Sequence, residues 1–323
     1  MCTAMTFQTK CHYFGRTLDY NISFGETVTI TPRQYPFHFR CLPPIPEHYA
    51  IIGMAKIERN YPLYFEATNE KGLSIAGLNF PENAVYYPQR DGYQNIAPYE
   101  LIPYLLGQCI STSDVRSLLA DTNLLDQPFS SQLPLTPLHW LIADHNEAIT
   151  VESCADGLQV YDNPIGILTN NPPFPIQLFT LNQYMSLSSE PPINRFGGNY
   201  PLHAYSYGMG ALGLPGDFSS NSRFVRTAFA KLNSVSENSE FESIQQFFHI
   251  LGTVSTPRGC VRMGKNHEIT QYTSCCNTDC GIYYYTTYNN SQITAVKLIP
   301  ELLDGNNLLS YPLQTESHIF EQN

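Results

Sequence analysis

The first twenty residues, Met1-Cys-Thr-Ala-Met-Thr-Phe-Gln-Thr-Lys-Cys-His-Tyr-Phe-Gly-Arg-Thr-Leu-Asp-Tyr20, hold two short runs rich in aromatic and β-branched side chains. These runs, at 3–9 and 12–19, predict two strands, the second pairing back on the first. Within the second run, Arg16 and Asp19 lie three positions apart. Because residues two apart face the same side of a strand, we expect a bend or a strand end between them.

Cys2 is the most informative position in this stretch. Methionine before a small residue is ordinarily removed, and its removal would leave a thiol and a free α-amine on one residue. This amine has a reference pKa of about 7.7–8.0, so it can serve as a base for its own thiol near neutral pH. A neighbouring Arg16 would favour the thiolate, and the Asp19 carboxylate could hold the amine. The alternative for Cys2 is an inert cysteine, and the alternative for Arg16 and Asp19 is a weakly stabilising surface salt bridge.

The composition excludes several classes of protein. The chain has 323 residues, 28 acidic and 17 basic side chains, a net charge of −11, 22 Tyr and 18 Phe. So many aromatic residues can bury enough apolar surface to form a folded core. The acidic balance, without clustered Lys and Arg, predicts no nucleic-acid partner. No apolar run reaches the roughly 18 residues of a membrane span, and the start lacks the features of a signal peptide. We therefore expect a cytoplasmic protein without a membrane partner.

Nine cysteines are present, and in a reducing compartment we expect them to be thiols. The cluster Cys275-Cys276-x3-Cys280 lacks the paired spacing of a zinc site, and His267 lies outside any usual zinc pattern. We therefore expect no metal. A non-catalytic thiol-rich or metal-binding protein is the alternative of a different class that this cluster would support.

Short strands and helices come in blocks. Predicted strands are residues 3–9, 12–19, 26–31, 49–57, 63–68, 73–78, 138–144, 148–154, 158–161, 165–169, 268–274, 281–288 and 292–298. Predicted helices are residues 98–108, 114–124, 223–232 and 241–251. Blocks of this kind favour a layered α+β fold over strict βαβ units. The chain has neither a G-x-G-x-x-G turn after a strand nor a P-loop, so no nucleotide site is predicted.

A set of short motifs occurs in order along the chain. They are Met1-Cys2-Thr3-Ala4, Phe14-Gly15-Arg16-x-x-Asp19, Asn69-Glu70-Lys71-Gly72-Leu73, Ala76-Gly77-Leu78-Asn79-Phe80, Leu138-His139-Trp140, Gly166-Ile167-Leu168-Thr169-Asn170-Asn171-Pro172, Gly213-Leu214-Pro215-Gly216-Asp217, Ser222-Arg223-Phe224 and Phe247-Phe248-His249-Ile250-Leu251. Together they resemble the choloylglycine hydrolase family, and within it the bile salt hydrolases of gut bacteria. The resemblance runs from Cys2 to the C-terminal strands. It implies one domain over residues 2–323, with Met1 removed.

The resemblance implies an N-terminal nucleophile hydrolase with a four-layer αββα fold, two packed antiparallel sheets lying between helices. Its implied catalytic residues are Cys2 as nucleophile, Arg16 and Asp19 beside it, Asn79 and Asn170 as oxyanion-stabilising positions, and Arg223 as a supporting arginine. Asp19 would orient the α-amine. Fixed N–H donors suit this chemistry, because attack on an amide builds negative charge on its oxygen. Asn171 competes with Asn170, and we interpret it as a turn residue before Pro172.

The resemblance also implies substrate-binding positions on three loops. These are Leu18, Tyr20, Ile22 and Phe24 on the first loop, Phe65 on the second, and Phe129 and Leu133 on the third. Their apolar and aromatic side chains suit the face of a steroid, although each alone would be read as core. Residues 127–134 lie in a Pro- and Ser-rich segment between a helix and a strand, which favours a loop. Thr17 stands where members of the family usually have Asn.

The implied activity is hydrolysis of the amide of glycine- or taurine-conjugated bile salts, without a metal or an organic cofactor. The expected partner is a small-molecule substrate, and the expected assembly is a homotetramer. Penicillin V acylase, of the same fold and mechanism, is the first alternative. Asn79 favours bile salts, because the acylase branch typically has Tyr at this position.

Overall fold

Two large antiparallel sheets form the centre of the fold in the computed structural model, which describes all 323 residues. The strands are β1 (Cys2–Gln8), β2 (His12–Tyr20), β3 (Thr27–Thr31), β4 (Ile51–Glu58), β5 (Tyr61–Asn69), β6 (Ser74–Asn79), β7 (Gln94–Ile96), β8 (Thr122–Leu124), β9 (Leu138–Ala143), β10 (Ala148–Cys154), β11 (Gly157–Asp162), β12 (Ile167–Leu168), β13 (Val261–Met263), β14 (Asn266–Asn277), β15 (Ile282–Thr287), β16 (Thr294–Lys297) and β17 (Leu309–Pro312). Sheet I has the order β12-β1-β2-β14-β15-β16, with β13 beside β14. Sheet II has the order β11-β10-β9-β6-β5-β4-β3-β17, while β7 and β8 form a separate parallel pair.

Helices cover the outer face of each sheet. The five α-helices are α1 (Leu101–Gln108), α2 (Thr112–Leu119), α3 (Phe174–Thr180), α4 (Ser220–Asn233) and α5 (Glu240–Gly252). Helices α4 and α5 pack on sheet I, α1 packs on sheet II, and the two sheets contact each other through β1, β2, β6 and β9. This arrangement confirms the predicted αββα layers. None of the helices is long and apolar enough to cross a membrane.

The hydrophobic core has two parts, because each sheet is covered on both faces. One cluster of 30 buried residues lies between the sheets and beneath α4 and α5, and a second cluster of 23 lies between sheet II and α1. Strand β2 shows the effect of this double burial, since eight of its nine residues are buried. The N-terminal hairpin therefore lies in the middle of the molecule rather than at its surface.

The predicted N-terminal hairpin is confirmed, with Cys2 opposite Leu18 in the register of β1 and β2. The predicted bend between Arg16 and Asp19 is wrong, because β2 runs through both positions without a break. Arg16 reaches across to carbonyl groups of sheet II, while Asp19 contacts Thr270 of β14. Residues three apart point to opposite faces of one strand, and both faces of sheet I contribute to the surroundings of the chain start.

Two β-bulges shape the sheets near the N-terminal hairpin. In sheet II the register shifts between Met54 and Ala55, which leaves Phe65 as the extra residue of β5. In sheet I the register of β14 shifts between Thr270 and Tyr272, which leaves Gln271 as the extra residue. A bulge re-aims the side chains on its strand. This explains how the neighbouring residues Phe65 and Glu66 both contact groups of sheet I or its loops.

Gly15 of β2 lies directly against the backbone of β14. A Cβ atom at this position would lie 2.0 Å from the carbonyl oxygen of Ser274 and 2.9 Å from the Cα atom of Cys275. Real side-chain carbons do not approach a backbone so closely, so only glycine lets these two strands pair at this point.

The predicted helix at 114–124 is wrong in its second half, because α2 ends at Leu119 and Thr122–Leu124 forms β8. The Thr122 hydroxyl donates to the Leu118 carbonyl at the end of the helix, and the Asn123 side-chain amide donates to Oδ1 of Asn95 in β7. Side-chain bonds of this kind compete with helical ones.

Several elements were not predicted. They are β7, β8, β13, β17 and α3. The strands among them have only three or four residues, too few for a recognisable alternation. Helix α3 was not predicted because it begins directly after Pro172 and Pro173 and contains Pro175 in its first turn. Proline is tolerated in the first turn of a helix, but in a sequence it usually indicates that a helix is interrupted.

Candidate active site

The backbone of Cys2 is held from two sides at the start of β1. Its amide N–H donates to Oδ1 of Asn170 at 2.8 Å, and its carbonyl oxygen accepts from Nη1 of Arg223. Only 5% of Cys2 is exposed. The start of the chain is therefore fixed by residues from two distant parts of the sequence.

Arg223 belongs to the first turn of α4, whose N-terminus is capped by the Ser219 side chain. Its fully buried guanidinium also donates to Oγ1 of Thr3 at 2.6 Å and to Oδ1 of Asn170 at 2.8 Å. Burial lowers the pKa of Arg223, and the negative charges of Asp19 and Cys2 offset part of this shift. The first turn of α4 thus places the Arg223 guanidinium against the main-chain carbonyl of Cys2.

The Asn170 side chain connects three parts of the site. Its Oδ1 atom accepts from Cys2 and Arg223, which fixes the orientation of the amide, and its Nδ2 atom donates to the main-chain carbonyl of Asn79 at 2.7 Å. In this conformation both polar atoms of the Asn170 side chain are used in hydrogen bonds to the main chain of Cys2 and Asn79. The Asn79 side chain, at the end of β6, makes no hydrogen bond within the chain and is half-buried. Asn79 is thus the amide that is open to an incoming group.

Two buried residues without an assigned role support the segment that carries Asn170. Gln177 of α3 accepts from the Thr169 hydroxyl at 2.9 Å and donates to the carbonyl groups of Asn170 and Pro172. His139 of β9 contacts the Thr169 carbonyl through Nε2 at 2.8 Å, its ring stacked on Phe80 with the centroids 4.2 Å apart. The motif around His139 was visible in the sequence, but the partners that define its role come from distant segments.

Asn171 lies beside Asn170 but points elsewhere. Its Nδ2 atom donates to the Pro81 carbonyl at 2.9 Å. This contact fits its interpretation as a turn residue, because the bond ties the segment before Pro172 to the loop after β6.

Arg16 is the second buried cation of the site. Its Nη1 atom donates to the carbonyl groups of Phe65 and Gly77, and its Nε atom donates to the Thr17 carbonyl. Burial by itself would lower the pKa of Arg16, but negative charge at Cys2 exerts the strongest opposing effect and helps to raise it above the usual value. A thiolate at Cys2 would be stabilised by the same interaction.

Asp19 is fully buried, and its carboxylate accepts from the hydroxyls of Thr17 and Thr270. The amino group of Met1 donates to the main-chain carbonyl of Asp19 at 2.7 Å and to the buried carboxylate of Glu268. Acceptors for a positive charge therefore already surround the start of the chain. Glu268 was not predicted from the sequence.

The aromatic residues proposed for the first two substrate loops form one cluster. Phe24 packs against Tyr20 with ring centroids 4.9 Å apart and against Phe65 at 5.5 Å. Leu18 is buried in β2 opposite Cys2, whereas Ile22 is 53% exposed. Phe24 and Phe65 pack against the core cluster that contains Cys2 and Leu18, whereas Ile22 is not part of it.

The two residues proposed for the third loop lie apart from that cluster. Phe129 packs against Tyr61 and Tyr99, with ring centroids 5.9 and 5.1 Å apart. Leu133 pairs with Ser130 in a short turn of the same loop. Tyr61 and Phe65 belong to the same strand, so β5 connects the two aromatic groups.

Burial affects several cysteines elsewhere in the chain. Burial raises the pKa of Cys109 and Cys276 to about 12 and that of Cys154 to about 11, which keeps these groups as thiols near neutral pH. Cys275 is completely buried. No three His, Cys, Asp or Glu side chains come together in a way that could hold a metal ion.

Sequence comparison places this arrangement in a known family. The profile described as linear amide C–N hydrolases, choloylglycine hydrolase family, matches residues 2–311. The chain belongs to the choloylglycine hydrolase family. Among its choloylglycine hydrolase relatives, the bile salt hydrolase/transferase of Lactiplantibacillus plantarum is 53% identical over the full length of both chains. The bile salt hydrolase/transferase of Clostridium perfringens is 38% identical over 96% of each chain.

Solved structures show the same fold. The C2A mutant of the conjugated bile acid hydrolase from Clostridium perfringens is 36% identical and superposes over the full length of both chains with a TM-score of 0.92. A penicillin V acylase from Agrobacterium tumefaciens is 18% identical, with a TM-score of 0.73 over 98% of this chain and 94% of the acylase. The acylase shares the fold, and the choloylglycine hydrolase family defines the activity as hydrolysis of a linear amide C–N bond.

Proposed function

We propose that the chain hydrolyses the amide bond of glycine- and taurine-conjugated bile salts, with Cys2 as the nucleophile. The observation that carries this proposal is the full-length identity of 53% to a bile salt hydrolase/transferase. The held backbone of Cys2, with buried Arg16 and Arg223 on its two sides, supports it. Residues 2–323 act as one domain in this proposal, in keeping with a family match over residues 2–311.

The proposed reaction has two steps. The Cys2 thiolate attacks the amide carbonyl carbon, the C–N bond breaks, and the leaving nitrogen of glycine or taurine takes a proton from the α-ammonium. Water then attacks the thioester and gives its proton to the α-amine as the C–S bond breaks. The products are the free bile acid and the amino acid, and the thiolate and α-ammonium of Cys2 are regenerated. No cofactor enters either step.

Negative charge on the former carbonyl oxygen needs a fixed donor in both steps. The free side-chain amide of Asn79 suits this role, because it makes no hydrogen bond within the chain. Asn170 and Arg223 together fix the Cys2 backbone, so Asn170 helps to position the nucleophile. The role of Asn170 as a second donor to the oxyanion stays a prediction. A single oxyanion donor contributes on the order of 100-fold or more to the rate.

A direct assay separates bile salts from the alternative substrate. Incubation with glycocholate, taurocholate and penicillin V, followed by measurement of the released amine, should show fast release from both conjugates. Penicillin V should be hydrolysed far more slowly, because its phenoxyacetyl group covers much less apolar area than a steroid. Preference for penicillin V would contradict the bile-salt assignment and leave the nucleophile assignment intact.

Retention of Met1 is expected to lower turnover about 100-fold or more, because the nitrogen of a peptide bond cannot act as the general base. Protein made with methionine aminopeptidase inhibited can be compared with processed protein from the same host. Intact mass reports the fraction that retains Met1, and activity should follow the processed fraction. Full activity in protein that retains Met1 would contradict the proposed role of the α-amine.

Phe129→Ser is expected to raise KM for glycocholate about tenfold, because it removes apolar area that we assign to the steroid. Turnover should fall too if the steroid aligns the amide with Cys2. Phe241→Ser is the matched control, since Phe241 is 72% exposed at the start of α5. Unchanged constants for Phe129→Ser would remove the third loop from the proposed pocket.

We also propose a homotetramer, formed through the segment between α3 and α4. This segment exposes an unusual number of large apolar side chains, namely Met185, Ile193, Phe196, Tyr200, Leu202, Tyr205, Tyr207 and Leu212. Exposed apolar surface of this extent is typical of a protein interface. A second copy of this chain is the proposed occupant.

Sedimentation velocity tests this assembly. The wild-type chain should sediment as a tetramer, and the double variant Phe196→Glu with Tyr207→Glu should sediment as a smaller species. Phe241→Glu adds a charge at a different exposed phenylalanine and should leave the tetramer intact. A monomeric wild-type protein would contradict the proposal. The assembled enzyme is proposed to act in the cytoplasm, where its nine unpaired cysteines would remain reduced.

A further inference from the structure

We propose that Glu66 is a positioning residue, whose carboxylate is fixed by hydroxyl groups of sheet I and holds Arg16 in place beside Cys2. The proposal rests on the proposed function, because it concerns the surroundings of the candidate nucleophile. No role for Glu66 is predicted from the sequence.

The Glu66 carboxylate spans the interface between the two sheets. It belongs to β5 of sheet II and is only 1% exposed. Its Oε1 atom accepts from the Ser274 hydroxyl at 2.9 Å and from the Tyr283 hydroxyl, and its Oε2 atom accepts from the Tyr272 hydroxyl at 2.7 Å. Three donors from β14 and β15 thus fix one side chain of the opposite sheet.

The fourth neighbour of this carboxylate is Arg16. Its Nε atom lies 3.8 Å from Oε2 of Glu66, with both side chains almost completely buried. Carbonyl groups occupy Nη1 and Nε, whereas Nη2 makes no hydrogen bond within the chain. Glu66 is therefore the only carboxylate in ion-pair contact with this guanidinium.

Such a cluster is costly for stability alone. A buried ion pair gives up the hydration of both charges, and apolar side chains of similar size would often serve the fold equally well. Burial raises the pKa of Glu66, and Arg16 and the three hydroxyls counteract this effect. Three donors aimed at two oxygens suit a carboxylate, which only accepts, better than a carboxylic acid.

The position of Arg16 matters because the electrostatic effect of its positive charge on the Cys2 sulfur falls as the distance between them increases. Cys2 lies opposite Leu18, and Ala4 lies opposite Arg16, so Cys2 and Arg16 occupy one face of neighbouring strands. The other charged groups around Cys2 are Asp19 of β2, Arg223 of α4 and Glu268 of β14. Of the two cations, only Arg16 is in ion-pair contact with Glu66, and its other contacts are with main-chain carbonyl groups.

The test measures the pH dependence of Cys2 alkylation by iodoacetamide, together with kcat and KM for glycocholate. Glu66→Gln removes the charge and keeps the shape, and Tyr283→Phe removes one hydroxyl that fixes Glu66. The matched control is Tyr285→Phe, because Tyr285 is equally buried in β15 but bonds to Gln314. Mass spectrometry of the N-terminal peptide reports the extent of alkylation at Cys2.

Glu66→Gln should move the midpoint of Cys2 alkylation to higher pH and lower kcat about tenfold with a smaller change in KM, because a displaced Arg16 no longer favours the thiolate. Tyr283→Phe should give a smaller effect in the same direction, and Tyr285→Phe should give none. In an Arg16→Gln background, Glu66→Gln should have no further effect on the midpoint, as residues acting through one another are not additive.

Two results would overturn the proposal. A midpoint that moves to lower pH in Glu66→Gln would show that Arg16 stayed in place and that Glu66 contributed only its charge. An unchanged midpoint in both Glu66→Gln and Tyr283→Phe would show that the cluster is structural. If Glu66→Gln fails to fold, the difference in alkylation midpoint between Tyr283→Phe and Tyr285→Phe decides whether the cluster positions Arg16. Hydrolysis that survives complete alkylation of Cys2 would refute the proposed function instead, and the midpoints would still decide the role of Glu66.

Discussion

Cys2→Ala is expected to abolish hydrolysis of glycocholate while leaving the fold intact. The loss should be at least about 1000-fold, because no other group in the site can form the thioester. The fold should survive because Asn170 and Arg223 hold the backbone of residue 2 rather than its side chain. Release of glycine and thermal unfolding, measured on the same preparation, test both parts of the prediction.

Two companion variants sharpen this result. Cys2→Ser should also fall far below the wild type, because a hydroxyl is much harder to deprotonate than a thiol. Cys154→Ala should keep its activity, since burial raises the pKa of Cys154 to about 11 and leaves it an unreactive thiol. In wild-type protein iodoacetamide should modify Cys2 first. Activity lost through modification of Cys280 alone would refute the assignment.

Gly15→Ala is expected to prevent stable pairing of β2 with β14. The new methyl group would lie 2.0 Å from the Ser274 carbonyl oxygen and 2.6 Å from its carbonyl carbon, so the two strands would have to separate. Overpacking usually costs about 1–3 kcal/mol, and we expect a cost at or above the top of this range because the neighbour is backbone and cannot rotate away. Urea unfolding measures the loss of stability.

The control for this prediction is Gly252→Ala at the end of α5. A Cβ atom there would meet nothing within 4 Å. The free energy of unfolding of Gly252→Ala should lie close to that of the wild type, so any large difference between the variants comes from the strand contact. A Gly15→Ala protein of wild-type stability would show that sheet I accommodates a wider spacing between these strands.

The N-terminal hairpin could be predicted because its evidence is local. Alternating aromatic and β-branched residues with a short break define β1 and β2 without reference to the rest of the chain. The faces of β2 were misjudged for a related reason. The prediction assumed that Arg16 and Asp19 must share one face to serve one site, whereas the site draws on both faces of a doubly covered sheet.

The supporting residues could not be predicted from local patterns. Glu66 and His139 lie in predicted strands, and Gln177 lies in a helix that was not predicted. The partners of all three are defined only when distant segments pack together. The resemblance to a family gave the positions of Cys2 and Arg223. It did not show that Arg223 and Asn170 bind the backbone of residue 2, which only the packed structure reveals.

The long-range anchoring of the chain start makes the timing of synthesis important. Arg223 lies 221 residues after Cys2, and Glu268 lies 267 residues after Met1. At about 5–20 residues per second, the ribosome needs roughly 10 to 45 seconds after Cys2 to reach Arg223. During this interval the amino end of the nascent chain has no site to enter, and a peptidase can reach it. Once the anchors close, the amino group of Met1 is bonded to Asp19 and Glu268. Under the proposed mechanism trimming and folding therefore compete, and we expect a slow peptidase to leave a folded population with strongly reduced turnover.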